Sequence, residues 1–169
     1  MSQAADSRAR HLVDKLALQP HPEGGWYREV YRSPTRVQTA RGPRSAITTI
    51  YYLLERHQLS RWHVVQADEL WHFYGGAPLE LLEYDPTSRK LVSHVLDHVA
   101  AASPGAPGAV CVGVIPTGVW QAARSRGEYS LVGCTVGPGF EFADFQFTSD
   151  LPSHADHFKG DLAAFAGLL

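Results

Sequence analysis

The sequence predicts an all-β fold, a sandwich or a barrel, on two observations. Short runs of β-branched and aromatic residues follow one another over most of the chain, beginning near residue 27. Turn sequences such as Gly75-Gly76, Asp85-Pro86 and Gly137-Pro138-Gly139 separate these runs. Regularly spaced short strands that end in Gly and Pro turns are typical of β-sandwiches and β-barrels.

Each run is expected to form one strand, and a short helix is expected near either end of the chain. Apolar residues with helical spacing between Leu12 and Leu16 predict a helix over residues 6–18. The apolar tail after residue 153 predicts a second short helix. The predicted strands are residues 27–31, 45–54, 60–65, 69–74, 79–84, 92–96, 109–115, 118–122, 129–135 and 140–147.

Length and composition limit the partners of the chain. We expect one domain over residues 1–169, with a barrel core at about residues 25–148. Lys and Arg (15) nearly balance Asp and Glu (17), so no basic field favours nucleic acid or a membrane, and a small molecule is the expected partner. Two isolated cysteines, without a signal peptide or a long apolar run, indicate a cytoplasmic protein.

The stretch RWHVVQADELWHFYGG carries the residues best suited to chemistry. Side chains alternate between the two faces of a strand, so an inward Glu69 brings Trp71 and Phe73 inward as well. His72 then lies on the opposite face. A carboxylate inside a barrel is costly unless it is paired or serves a site. His63 beside Glu69 is therefore a candidate general acid or base near neutral pH.

Other segments supply candidates for the wall of the same pocket. The loop HPEGGWYREV contains adjacent glycines that allow a tight turn over a barrel mouth, where Arg28 could pair with an anionic ligand group. In ITTIYYLL the alternation does not decide which tyrosine faces the pocket, and we choose Tyr51 as the inward residue. In PGFEFADFQF the apolar alternation changes face between Phe142 and Phe145. This change predicts a bulge at Ala143-Asp144 that brings Glu141 and Phe145 to the rim of the pocket. Surface or core roles are the competing interpretations.

Two motifs in these segments resemble those of the cupin superfamily. His63, Glu69 and Gly76 keep the spacing of the first cupin motif, G-x5-H-x-H-x3–4-E-x6-G. Pro116 and Gly118 in GVIPTGVWQ keep the spacing of the second motif, G-x5-P-x-G-x2-H-x3-N. Over LQPHPEGGWYREVYRS, ITTIYYLL and LVGCTVGPGFEFADF the chain is more closely similar to the small bacterial and fungal cupins grouped as domain of unknown function 985.

The resemblance implies a double-stranded β-helix, the jelly-roll barrel, in a protein that is usually a homodimer. It also implies a likeness in shape to sugar-nucleotide epimerases, which use a histidine to abstract a proton. No activity is implied, because this branch is largely uncharacterised and a fold does not fix a function. What carries over is the type of pocket.

The metal ligands typical of cupins are half present. A cupin metal centre typically uses two histidines on one strand, a glutamate on the next, and a third histidine from the second motif. His63 and Glu69 match this set, whereas Val65 replaces the second histidine and Gln121 the third. No cofactor is therefore expected; a divalent metal on His63, Glu69, Gln121 and water is the alternative.

Together these observations predict a small-molecule-binding cupin. If it is an enzyme, we expect a metal-independent epimerase or isomerase of a sugar or carbonyl compound, in which His63 moves the proton while Glu69 orients and tunes it. A non-catalytic metabolite-binding protein and a metal-dependent oxygenase with a reduced ligand set are the alternatives. The predicted ligand-binding residues are Arg28, Tyr51, Trp71, Phe73, Gln121, Glu141 and Phe145.

Overall fold

The computed structural model describes residues 2–98 and 110–150, and within them the chain is mostly β-strand. One helix, α1 (Ser2–Lys15), precedes the strands. Short 3₁₀ turns at Phe142–Asp144 and Thr148–Asp150 flank the last strand. The strands are β1 (Gln19–Pro20), β2 (Trp26–Arg32), β3 (Arg36–Thr39), β4 (Gly42–Ser45), β5 (Thr48–Glu55), β6 (Leu59–Val65), β7 (Asp68–Gly76), β8 (Leu79–Asp85), β9 (Lys90–Leu96), β10 (Val112–Ile115), β11 (Trp120–Ser125), β12 (Tyr129–Gly137) and β13 (Phe145–Phe147).

Two antiparallel sheets face each other across the core. In the described residues the larger sheet has the order β1-β2-β5-β12-β7-β10 and the smaller sheet the order β13-β6-β11-β8-β9, while β3 and β4 form a separate hairpin. The strands form two sheets and do not close into one ring, an arrangement compatible with a jelly roll. The predicted all-β fold is confirmed.

Large side chains from both sheets fill the space between them. Tyr52 and Trp71 of the larger sheet pack with Leu79 and Leu81 of β8, and all four are fully buried. Glu69 and Phe73 are buried on the same face of β7 as Trp71, as the predicted alternation requires. The inner face of β7 therefore combines an apolar core with one carboxyl group.

Helix α1 covers part of the outer face of the larger sheet. Its Val13 packs against Leu53, and Tyr51 lies against the same cluster. Tyr52 points the other way, into the core. The structure thus corrects the choice of Tyr51 as an inward residue. No helix in the described ranges combines the length and the apolar character needed to cross a bilayer.

Several elements differ in extent from the prediction. The predicted strand 45–54 divides into β4 and β5 around a bend, and the predicted strand 140–147 becomes a 3₁₀ turn followed by β13. Strands β1 and β3 are short and mostly exposed, so they lack the apolar alternation that predicts a strand. The predicted C-terminal helix lies outside the described residues.

The loop between β1 and β2 is pressed against the start of β6. Gly24 has a φ of +112°, and a Cβ at this position would lie 2.1 Å from the Leu59 carbonyl oxygen. The Tyr52 hydroxyl donates a hydrogen bond of 2.8 Å to the Gly24 carbonyl. Since only glycine tolerates this φ and this approach without strain, the path of the loop depends on Gly24.

Replacing Gly24 with Ala should therefore destabilise the fold by more than about 2 kcal/mol, because the new methyl group meets backbone in a left-handed conformation. Gly75→Ala is the matched control, since a Cβ at Gly75 has no atom within 4 Å. Its free energy of unfolding should change by less than about 1 kcal/mol. Urea unfolding followed by circular dichroism measures both values. Equal stabilities for the two variants would contradict this account of the loop.

Candidate functional site

A cavity of about 160 Å³ lies between the two sheets and is covered by two loop segments. The larger sheet contributes side chains of β2, β5, β7 and β12, and the smaller sheet those of β6 and β13. Residues 19–23 and residues 140–142 complete the lining. The cavity therefore joins the motif strands to segments that are distant from them in sequence.

His21, Glu23, His63 and Glu69 are among the titratable side chains that line this cavity. The Nε2 atom of His63 lies 3.3 Å from Oε2 of Glu23, and Nδ1 of His21 lies 3.8 Å from the same oxygen. His63, Glu23 and Glu69 are only 2%, 6% and 7% exposed. A cluster of this kind, desolvated inside a cavity, is typical of a functional site.

The environment of His63 defines its protonation. Its Nδ1 lies 2.7 Å from the Arg61 carbonyl oxygen, which can only accept, so Nδ1 carries the proton and donates it. Burial lowers the pKa of His63, while the negative charge of Glu69 opposes this shift. The imidazole is therefore neutral at pH 7, with its Nε2 lone pair free to take a proton.

Glu23 is the acidic group nearest to this lone pair. Its carboxylate accepts a hydrogen bond of 3.1 Å from the Ser60 hydroxyl. Burial raises the pKa of Glu23, and the neighbouring His21 acts in the opposite direction. The 3.3 Å separation from His63 is longer than an ordinary hydrogen bond. A proton arriving on Nε2 would turn this contact into a charge-assisted hydrogen bond.

Glu69 is held by a chain of side-chain hydrogen bonds. The Trp71 indole donates to Oε1 of Gln121 at 2.9 Å, and Nε2 of Gln121 donates to Oε2 of Glu69 at 2.6 Å. Burial raises the pKa of Glu69 to about 7, despite the opposing effects of His63 and Gln121. Glu69 therefore exchanges its proton near neutral pH from a fixed position.

The predicted site residues fall into three places. His63, Glu69, Glu141 and Phe145 line the cavity, and Phe145 stacks on His63 with ring centroids 5.0 Å apart. Behind the cavity, Trp71 and Gln121 hold Glu69, while Phe73 lies in the apolar core. Arg28 lies over the Tyr51 ring at 5.7 Å, and neither residue belongs to the cavity lining. The structure corrects the placement of these two.

His21 and Glu23 are the site residues that sequence reasoning missed. Their loop carries no hydrophobic periodicity, and its glycines predict a turn without indicating which side chain enters the cavity. The available signal was the combination of Glu23 with the pair Gly24-Gly25, since two glycines let the backbone approach β6 closely. That approach places the Glu23 carboxyl beside Ser60 and His63.

Aromatic side chains and Arg32 form the mouth of the cavity. Phe140, Phe142 and Phe145 contact one another edge to face, and Tyr27 lies across from them beside His21. The 3₁₀ turn that carries Phe142 is held by Asp144, which accepts hydrogen bonds from the guanidinium groups of two arginines, Arg41 and Arg44. The β3–β4 hairpin thus fixes the aromatic wall.

These residues do not fit the reduced cupin metal centre that the motif suggests. Val65 lines the cavity but offers no ligand atom. The amide oxygen of Gln121 already accepts from Trp71, and its nitrogen donates to Glu69. Both polar atoms of the Gln121 amide are therefore already engaged in hydrogen bonds within the protein. Among the described residues, no group of three or more His, Cys, Asp or Glu side chains is arranged to hold a metal.

Two facing antiparallel sheets with a polar cavity between them define a double-stranded β-helix protein with a ligand-type pocket. The chain belongs to the family described as Cupin superfamily (DUF985), which matches residues 10–148. The predicted family is therefore confirmed. Membership supports a small-molecule-binding domain and leaves the specific activity open.

Solved structures agree with this assignment. A protein from Shewanella oneidensis is 31% identical, covers 95% of this chain and 96% of its own, and has a TM-score of 0.81. A hypothetical protein from Leishmania major is 30% identical over 89% of this chain and 96% of its own, with a TM-score of 0.74. Oxalate decarboxylase from Bacillus subtilis, 15% identical over 89% of this chain and 34% of its own, shares the fold alone at a TM-score of 0.57. No curated protein matches the sequence at a significant level.

The raised pKa of Glu69 makes the stability of the fold depend on pH. The folded state holds this proton more tightly than the unfolded chain does, so the stabilisation is complete below about pH 4.5 and is lost as the pH rises to about 7. Glu69→Gln lacks the ionisation. Its free energy of unfolding relative to the natural protein should therefore increase by up to roughly 3 kcal/mol across this window and stay level above it.

Urea unfolding of both proteins between pH 4.5 and pH 8 measures this difference. The difference between the two proteins reports the ionisation of Glu69 together with its electrostatic coupling to His63 and Glu23. A stability difference that stays constant with pH would show that Glu69 titrates in its ordinary range.

Proposed function

We propose that this cupin binds a small carbonyl or sugar-type molecule and catalyses a metal-independent proton transfer on it, as an epimerase or isomerase does. The observation that carries the proposal is the placement of a base and an acid in one cavity. His63 is neutral with a free Nε2, and Glu69 has a pKa of about 7. General acid–base catalysis is most effective when both groups exchange protons near the working pH.

In the proposed reaction, Nε2 of His63 removes the proton from the carbon next to a carbonyl group. The electron pair of the broken C–H bond forms a C=C bond, and the carbonyl oxygen takes a proton from Glu69 to give an enol. For a hydroxy-carbonyl compound, the hydroxyl on the carbon that lost its proton passes its own proton to Glu69 as it becomes the new carbonyl, and His63 returns its proton to the neighbouring carbon, which gives an isomer. If the enol instead turns its other face to His63, the enol hydroxyl returns its proton to Glu69 and His63 returns its proton to the same carbon, which gives an epimer. Both groups recover their starting protonation states.

Other residues support these two. Glu23, whose Oε2 lies 3.3 Å from Nε2, stabilises the positive charge of the imidazolium formed on His63, so we assign to Glu23 the orienting role predicted for Glu69. Glu69 still favours the charged imidazole through its own charge. Gln121 and Trp71 fix the Glu69 carboxyl, and stacked Phe145 limits rotation of the imidazole. The supports of both acid–base groups are thus in place before a ligand arrives.

A homodimer in the cytoplasm belongs to the same proposal. Val112 and Val114 lie on the edge strand β10 with 41% and 52% of their surface exposed, and Tyr74 on the neighbouring β7 is 49% exposed. An apolar strip on a sheet edge favours pairing with a second copy. Sedimentation equilibrium of the natural protein should give twice the monomer mass, and a monomer at micromolar concentration would contradict the dimer.

The activity can be sought without knowing the substrate. Protein treated with a chelator is incubated in D₂O with aldoses, ketoses and hydroxy-aldehydes, and NMR follows the replacement of C–H by C–D next to the carbonyl. Proton abstraction by His63 should place deuterium at that carbon. Binding shown by a thermal shift without any deuterium incorporation would support a non-catalytic binding protein, the competing function. Incorporation that requires an added metal would contradict the metal-independent mechanism.

His63→Asn should lower the rate of deuterium incorporation by roughly 100-fold or more, because the variant has no group to accept the proton. His72→Asn is the matched control, since His72 neighbours Trp71 on β7 and does not line the cavity. Its rate should stay close to that of the natural protein. Circular dichroism and thermal unfolding verify that both variants fold. An unchanged rate in folded His63→Asn protein would remove His63 from the catalytic role.

A further inference from the structure

We propose that the substrate of this cavity is an uncharged hydroxy-carbonyl or polyhydroxy compound, without a phosphate, carboxylate or nucleotide group. The inference rests on the proposed function and narrows its substrate class. Its basis is the charge of the cavity and its mouth, together with the volume of the cavity, and these are independent of which proton moves.

Arg32, the arginine that lines the cavity, has its guanidinium group hydrogen-bonded to other groups of the protein. Arg32 donates from Nε and one terminal nitrogen to the two carboxylate oxygens of Glu29, at 3.1 and 2.8 Å. Its other terminal nitrogen donates to Glu141 at 2.9 Å, and the Phe140 carbonyl accepts a further bond at 3.1 Å. A bidentate anion site needs an open guanidinium edge, and both edges of Arg32 are occupied.

One guanidinium against two carboxylates leaves the mouth with one net negative charge. Inside the cavity, burial lowers the pKa values of His21 and His63, so both imidazoles are neutral at pH 7. Glu23 and Glu69 add negative charge in whatever fraction they ionise. The lining in the described part of the chain therefore offers no net positive charge to an anion at neutral pH.

Nearby cations outside the lining are also committed to the protein. Arg61, whose charge lowers the pKa of Glu23, donates to the Pro22 carbonyl and lies over the Phe147 ring at 4.5 Å. Arg41 and Arg44 both bind Asp144. None of the three lines the cavity. An entering phosphate group would thus meet carboxylates before it met a free cation.

The remaining surfaces suit an uncharged ring. Phe140, Phe142 and Phe145 present aromatic faces, whose negative quadrupole attracts C–H groups and disfavours anions. Carboxyl and imidazole groups at the base supply hydrogen-bond partners for hydroxyl or carbonyl oxygens. A volume of about 160 Å³ lies below the roughly 300–1,000 Å³ typical of pockets for drug-sized ligands, which favours a ligand of monosaccharide size over a sugar nucleotide.

Nitroxide probes that differ only in charge can measure the potential at the mouth without a known substrate. The probes are aminomethyl-PROXYL (cationic), carbamoyl-PROXYL (neutral) and carboxy-PROXYL (anionic), and the readout is relaxation enhancement of the Phe142 ring protons. Phe142 is suitable because it lines the cavity and is 55% exposed. The Thr87 methyl group, exposed on the turn between β8 and β9 and outside the cavity lining, normalises for the charge of the whole protein.

At low salt, the cationic probe should relax Phe142 about threefold or more faster than the anionic probe, after normalisation to Thr87. Replacing both carboxylates, Glu29→Gln with Glu141→Gln, should reverse the order, because Arg32 then keeps its charge without an ionic partner. Equal relaxation by the two probes, or faster relaxation by the anion, would overturn the proposal. An unreversed order in the double variant would show that other groups set the potential, and would overturn it as well.

A second arm tests ligands in matched pairs, each of which sets a free aldose against one of its anionic derivatives, the phosphate ester or the sugar nucleotide. Stronger thermal stabilisation by any anionic member than by its uncharged partner would overturn the substrate class. Failure of the acid–base mechanism leaves a different signature. His63→Asn would then keep full turnover while the probe order at Phe142 stayed the same, so the two proposals fail separately.

Discussion

The contact between Glu23 and His63 joins a loop to the middle of a strand and sets the chemistry of the cavity. A buried carboxyl and a buried imidazole both cost free energy unless each has partners. Ser60 supplies one partner for Glu23, and the Arg61 carbonyl supplies one for His63. The loop reaches this position because Gly24 lies against the Leu59 carbonyl, which explains why a turn outside the sheet matters to the site.

The same burial acts in opposite directions on the two ends of the cavity. It disfavours the charged form of each group, so it lowers the pKa of His63 and raises that of Glu69. A solvent-exposed imidazole beside a solvent-exposed carboxyl group would take up a proton more readily, and the two groups would form an ion pair. Here burial disfavours both charged forms, so His63 is neutral at pH 7 and Glu69, with a pKa of about 7, loses its proton only near neutral pH. The relay from Trp71 through Gln121 keeps that acid in place.

Strand alternation made much of this site accessible from the sequence. The period of two placed Glu69, Trp71 and Phe73 on one face of β7, and the structure has them there. In β5 both faces are partly apolar, since α1 covers the outer one, and alternation could not tell Tyr51 from Tyr52. Glu23 was beyond reach for another reason. Its position follows from the packing of a non-periodic loop against a distant strand, which leaves no local pattern to read.

The central claim is that His63 is a neutral imidazole with its proton on Nδ1 at working pH. Nitrogen-15 NMR of the histidine rings measures this directly, with His63→Asn identifying the signals. The account predicts a neutral ring at pH 7, protonated on Nδ1, that gains its second proton only below the ordinary histidine pKa of about 6.5. A doubly protonated ring at pH 7, or a neutral ring protonated on Nε2, would contradict it.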